Sequence, residues 1–262
     1  FFFEKPLVNM STKVAFITGA TAGFGEATAR RFVKEGWKVI ITGRRTERLE
    51  ALQADLGKDV CHPVTLDVTD RKGVEACFAN LPEGFKEIDV LVNNAGLALG
   101  VDSVDQGDVD SWEQMIDTNI KGLLYVTRAA LPSMVSRGSG HVVNLGSIAG
   151  EWPYPGGNVY GGTKAFVRIF SQNMRADLVA KNINVTDIEP GLAVSEFSNV
   201  RFKGDAEAAA NVYKGTQPLT PEDIADAIFW TVSRPKHVNI NRMEIMPTCQ
   251  ALAGLKIVRD DQ

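Results

Sequence analysis

The sequence predicts an α/β fold of the Rossmann type: a doubly wound parallel sheet of about seven strands in a single domain. Continuous apolar, β-branched runs alternate with amphipathic helical patterns along nearly the whole chain, as strands covered on both faces require. The length of 262 residues suits one core of this kind, and no linker, repeat or low-complexity stretch divides it.

The elements follow in order. Residues 14–18 (Val-Ala-Phe-Ile-Thr) read as a buried strand, and Ala27, Phe32 and Val33 mark the face of the helix after it. A second strand spans 39–42, with an Arg/Glu/Leu-rich helix over about 46–56. A third strand covers 60–66, and Asp70 caps the helix that follows. The fourth strand is 88–92, then a long helix runs over about 112–137. The fifth strand, 141–145, precedes a helix over 159–180, and the sixth strand is 183–188. Pro221, at a first helical turn, opens a helix to about Ser233, and a last strand near 243–246 leads into an irregular tail. Residues 10–262 are expected to form the domain, with Met10 as the natural start and residues 1–9 an appended remnant without the features of a signal peptide.

Composition excludes several classes. The net charge of −4 is spread along the chain, which argues against a nucleic-acid surface. No run approaches the roughly 18 apolar residues of a membrane span. Cys61, Cys77 and Cys249 form no CxxC and read as reduced thiols of a cytoplasmic protein. His62, His141 and His237 lack metal-ligand spacing, so no metal is expected.

The first strand runs into Thr18-Gly19-Ala20-Thr21-Ala22-Gly23-Phe24-Gly25 and then a helix. Glycines at such a turn admit a phosphate close to the backbone, and the helix N-terminus favours its charge. Glu26 stands where a triphosphate-gripping lysine would be needed, so a P-loop NTPase is set aside. About nineteen residues past Gly25 the fold places the group that meets the adenosine ribose. Arg44 and Arg45 stand there in place of an acid, which suits a 2′-phosphate and points to NADP(H) over NAD(H). Asp67 and Val68 lie just past the third strand; Asp67 reads equally as an adenine contact or as a helix-capping or surface residue. Asn93-Asn94-Ala95-Gly96 ends the fourth strand at the sheet edge where ligands bind.

Tyr160 and Lys164 lie one helical turn apart and share a face. An ammonium beside a phenol favours the phenolate, so such a tyrosine passes protons near neutral pH. Ser147 adds a hydroxyl at the same edge. Asn119 lies within the long helix, where a solvated surface position is the plain alternative.

In this order, the motifs resemble those of the short-chain dehydrogenase/reductase family: TGxxxGxG at 18–25, NNAG at 93–96, Asn119, Ser147, YxxxK at 160–164 and Pro190-Gly191. The resemblance spans Met10 to about Pro247. It implies that Tyr160 is the acid/base, that Ser147 polarises the carbonyl, and that Asn119 anchors a water in a proton relay. It also implies that Lys164 lowers the tyrosine pKa and holds the nicotinamide ribose. Gly19, Thr21, Ala22, Gly23, Phe24, Gly25, Arg44, Arg45, Asp67, Val68, Asn94, Ala95, Gly96 and Val194 would bind the cofactor, with Pro190, Gly191 and Leu192 at the nicotinamide end. Many members carry a threonine after Pro-Gly; Leu192-Ala193-Val194-Ser195 here leaves that contact open.

Within the family, TGRRTERL, GGNVYGGTKAFVR and EFSNVRFKGD resemble NADP-dependent 3-hydroxy acid (serine/allo-threonine) dehydrogenases and bacterial sulfoacetaldehyde reductases. The implied reaction is reversible hydride transfer on a small anionic aldehyde or ketone: sulfoacetaldehyde to isethionate, or serine or 3-hydroxypropionate and its semialdehyde. Residues 192–220 would be a substrate lid, and Arg201 the partner of the substrate anion, unless it pairs with Glu196 or Asp205. Trp152 and Tyr154 read either as pocket wall or as loop packing. The family usually forms tetramers or dimers through faces that would carry Tyr125, Leu131, Phe166 and Phe170. The tail, 247–262, with Leu252, Leu255, Ile257 and Val258, is apolar enough to dock. Two rival readings stay open: a reductase of bulkier neutral carbonyls, and an inactive NADP-binding regulator.

Overall fold

The computed structural model describes residues 12–251. The expectations for residues 1–9 and for Leu252, Leu255, Ile257 and Val258 lie outside the described residues. The strands are β1 (Val14–Ile17), β2 (Lys38–Gly43), β3 (Cys61–Thr65), β4 (Val90–Asn93), β5 (Gly140–Leu145), β6 (Ile183–Pro190) and β7 (Arg242–Ile245). They pair in parallel in the order β3-β2-β1-β4-β5-β6-β7. The strand order reverses between β1 and β4, and ligands of open α/β sheets bind in the crevice at such a switch point. Pro63 is tolerated in β3 because that strand is an edge.

Alternate residues of each strand face opposite layers. Val14 and Phe16 of β1 pack with α3 (Arg71–Ala79), α5 (Leu123–Arg137) and α6 (Asn158–Leu178), through Val74, Met134 and Met174. Ala15 and Ile17 pack on the other side against α1 (Gly23–Lys34), α2 (Thr46–Leu56) and α9 (Pro221–Val232), through Phe32, Leu49 and Ile228. The Asp70 carboxylate accepts from Lys72 N at the start of α3 (3.1 Å). Thr220 and Asp223 form a reciprocal capping box ahead of Pro221 in α9.

The long helix expected over 112–137 is not continuous. It starts earlier, as α4 (Val109–Ile116), and passes through a π-helical turn at Asp117–Gly122 before α5. The π turn places Asn119 inside the molecule at 2 % exposure, where its amide finds partners on two other segments. Two short helices that the sequence reading left unassigned, α7 (Phe197–Arg201) and α8 (Ala206–Asn211), lie between β6 and α9. The three cysteines are free thiols. Among the described residues no helix is long and apolar enough to cross a membrane.

Candidate active site

A cavity of about 830 Å³ opens along the carboxyl edge of the sheet. Its adenosine end is built where β1 turns into α1. Gly19 holds φ +67°, which a side chain would strain, and a Cβ on Gly25 would stand 2.4 Å from the Gly19 carbonyl oxygen. Asn94 braces this turn, its Nδ2 donating to the carbonyls of Thr18 (2.8 Å) and Gly19 (3.1 Å). No side chain caps α1 at Ala22, so the amides of its first turn point at the cavity without a capping partner. These features form an anion cradle. Beside it, Arg45 donates through Nε (3.0 Å) and Nη2 (2.6 Å) to Thr21 Oγ1. Arg44 lies 3.9 Å from Asp67, whose Oδ1 also accepts from the Thr69 amide (2.9 Å). Glycine turn, open helix terminus and two arginines fit a dinucleotide with a phosphorylated ribose.

At the other end, β5 delivers Ser147 and α6 delivers Tyr160 and Lys164. Ser147 Oγ accepts from the Ala149 amide (3.1 Å), and Ser147 and Tyr160 border the same cavity. The Lys164 ammonium donates to the Leu145 carbonyl (2.7 Å) and lies 5.8 Å from the Tyr160 ring centroid. Burial pushes the Tyr160 phenol above its ordinary value, against the pull of the Ser147 hydroxyl and the nearby Arg201 charge. Burial pulls Lys164 down to about 8, while Asp187 beneath it favours the ammonium. Below pH 8 the site therefore holds a protonated phenol next to a cation: a proton donor with a hydroxyl aimed at the same space. Such a pair can protonate an oxygen that gains charge during reduction.

A family model described as short chain dehydrogenase matches residues 13–205. The chain belongs to the short chain dehydrogenase family. It is 58% identical to the NADP-dependent 3-hydroxy acid dehydrogenase of Salmonella typhi, over 94% of this chain and 99% of that one. It is 55% identical to the serine 3-dehydrogenase of Agrobacterium fabrum, over 93% and 97%. Among solved structures, the closed form of a serine dehydrogenase complexed with NADP+ is similar at 55% identity and TM-score 0.93, covering 94% of this chain and all of that one.

This short chain dehydrogenase brings most of the sequence-predicted residues to one cavity wall. Gly19, Thr21, Ala22, Gly23, Phe24, Arg44, Arg45, Asp67, Val68, Asn94, Ala95 and Gly96 border it toward the adenosine side. Ser147, Tyr160, Lys164, Pro190, Gly191, Leu192 and Arg201 border it toward the catalytic side. Three expected residues stand apart from the wall. Gly25 provides close packing of α1 on the turn. Asn119 spends its amide on the Leu97 backbone (2.9 and 2.8 Å) and Thr163 Oγ1 (3.0 Å), tying three segments together. Val194 does not border it: its N–H donates to the Leu219 carbonyl (2.8 Å), and Ser195 borders the cavity instead.

Arg201 pairs with neither Glu196 nor Asp205. Its Nε donates to the Gly100 carbonyl (3.3 Å) and its Nη2 to that of Gly156 (3.5 Å). The guanidinium lies 5.3 Å from the Tyr154 ring centroid and 5.9 Å from that of Tyr160. Sequence reasoning missed Gln250, whose Oε1 accepts from the Leu192 amide (2.7 Å), and Phe197, whose ring packs 5.5 Å from Tyr160. No local pattern marks Gln250. Phe197 carried a signal as a large apolar residue beside charged neighbours in the lid sequence. Trp152 and Tyr154 both border the cavity, with Trp152 Nε1 held by Glu244 (2.9 Å).

Proposed function

We propose that this protein is an NADP(H)-dependent 3-hydroxy acid dehydrogenase, interconverting a small hydroxy acid and its semialdehyde. The observation that carries the reading is the position of Arg201, a cation on the same wall as Tyr160 and 5.9 Å from its ring. A carboxylate held there by charge-assisted hydrogen bonds would leave its neighbouring oxygen-bearing carbon toward the phenol. The relatives named 3-hydroxy acid and serine dehydrogenases, and the one complexed with NADP+, support the same substrate class and cofactor.

The glycine turn, the first-turn amides of α1 and Arg44 and Arg45 would hold the dinucleotide, and Lys164 its nicotinamide ribose. NADP(H) supplies or accepts a hydride at the substrate carbon. In reduction Tyr160 gives its proton to the carbonyl oxygen, and Ser147 donates a hydrogen bond to that oxygen. In the reverse direction Tyr160 takes the hydroxyl proton. The Lys164 ammonium steadies the phenolate through its positive charge, and Asn119 fixes the loop and helix between which that charge sits. Residues 192–220 act as the substrate lid. The protein is read as a cytoplasmic homo-oligomer, tetramer or dimer.

A sulfonate asks for the same donors as a carboxylate, so sulfoacetaldehyde is the second substrate of this reading. The test is NADPH oxidation with malonate semialdehyde, sulfoacetaldehyde and a neutral aldehyde of equal size, and NADP+ reduction with serine. The expected result is turnover of the anionic compounds with a much lower KM than the neutral one. Equal kcat/KM for all three would overturn the assignment of Arg201 and favour a reductase of neutral carbonyls. Absence of any turnover would favour a binding regulator.

A further inference from the structure

Glu196, directly before α7, reaches across to the adenosine end of the cavity. Its Oε2 accepts from Arg45 Nη1 (2.8 Å) and its Oε1 from Arg48 Nη1 (2.6 Å). Arg45 spends its remaining contacts on Thr21. Both arginines hold the Glu196 carboxyl below its usual range, so it is an anion at neutral pH. A carboxylate thus already occupies part of the guanidinium that would meet a ribose 2′-phosphate.

We infer that Glu196 is a specificity-determining residue: an internal anion that competes with the nucleotide 2′-phosphate for Arg45 and so tempers the preference for NADP(H). The inference deepens the proposed cofactor reading and rests on it. Arg48 relieves the competition, because it shares the carboxylate and draws it partly off Arg45. The same residue precedes the five-residue helix that ends at Arg201, so displacement of Glu196 by a phosphate would release the lid's first anchor on the adenosine side. All three side chains are nearly half exposed, so their attractions are screened and substitutions there leave the core intact.

The experiment is a fluorescence titration of the full-length protein with NADPH and, separately, NADH. Glu196→Gln is expected to lower the NADPH Kd about two- to fivefold, as befits loss of one exposed competing charge. NADH, which lacks the phosphate, should keep its Kd, and the NADPH gain should shrink as salt is raised. Arg48→Gln should weaken NADPH binding in the parent background and do so less in the Glu196→Gln background. An unchanged or weaker NADPH affinity in Glu196→Gln would overturn the inference, as would an equal gain for NADH. If the parent prefers NADPH and Arg45→Gln erases that preference while Glu196→Gln leaves it unmoved, the inference falls and the cofactor reading stands. If the parent binds both nucleotides equally, both fall.

Discussion

The two ends of the cavity are built on opposite electrostatic terms. At the adenosine end, Arg44, Arg45 and Arg48 are 64 %, 44 % and 48 % exposed, and their carboxylate partners are 41 % exposed. At the catalytic end, Tyr160 and Lys164 are buried at 9 % and 7 %, and desolvation dominates both. The contrast separates affinity from chemistry. Exposed charges can grip a nucleotide and release it at modest cost, while the reacting groups sit where each charge counts heavily because water does not screen it.

That contrast is sharpened first by Tyr160→Phe, which removes the proton donor but little volume. Turnover should fall about 10²–10⁴-fold while NADPH binding, followed by fluorescence, stays near the parent value. A matching loss of binding would assign Tyr160 a structural task. Next, Arg201→Ala should raise KM for anionic substrates about 10–100-fold, the worth of hydrogen bonds to a charged group, and should scarcely affect a neutral aldehyde.

At the wet end the effects shrink. Arg45→Gln should weaken NADPH binding about two- to tenfold at low salt and less at high salt; a salt-independent loss would contradict the description of that end as solvent-screened. With rising pH, carbonyl reduction should decline through about 8 as Lys164 loses its proton. A rate flat to pH 10 would show that the ammonium is dispensable.

The smallest effect is on stability. Burial and the neighbouring Glu189 raise the Asp187 carboxyl well above its ordinary range. The folded chain therefore holds that proton longer than the unfolded one, and the contribution present at acid pH is lost as pH rises through the raised value. Asp187→Asn cannot ionise, so it should flatten this decline, with a gain of roughly 2–4 °C in alkaline Tm by calorimetry. A steeper decline would mean that Asp187 serves Lys164 more than it burdens the fold.

The adenosine end was largely legible because its parts are neighbours in the chain. A glycine turn joins one strand to one helix, and two arginines close the next strand. YxxxK likewise writes its geometry in four residues. The substrate side was less legible. Arg201 meets carbonyls 101 and 45 residues away, and Gln250 meets Leu192 across 58. Such long-range partners leave no periodicity or spacing. The family's loop implies a cofactor contact for Val194, but here its amide donates to the Leu219 carbonyl beside the bridge between Ala193 and Leu219, and Ser195 borders the cavity. Asn119 was legible in type but not in task, since only the π turn shows where its amide goes.

That turn also limits how the chain can change length. Each residue of a regular helix advances the winding by about 100°. Deleting one residue between Asp117 and Gly122 would close the wide π turn toward this regular winding and rotate the Asn119 amide away from Leu97 and Thr163. An exposed loop absorbs the loss of a residue without displacing any such group; here the count of six is as binding as the identity of the asparagine it carries.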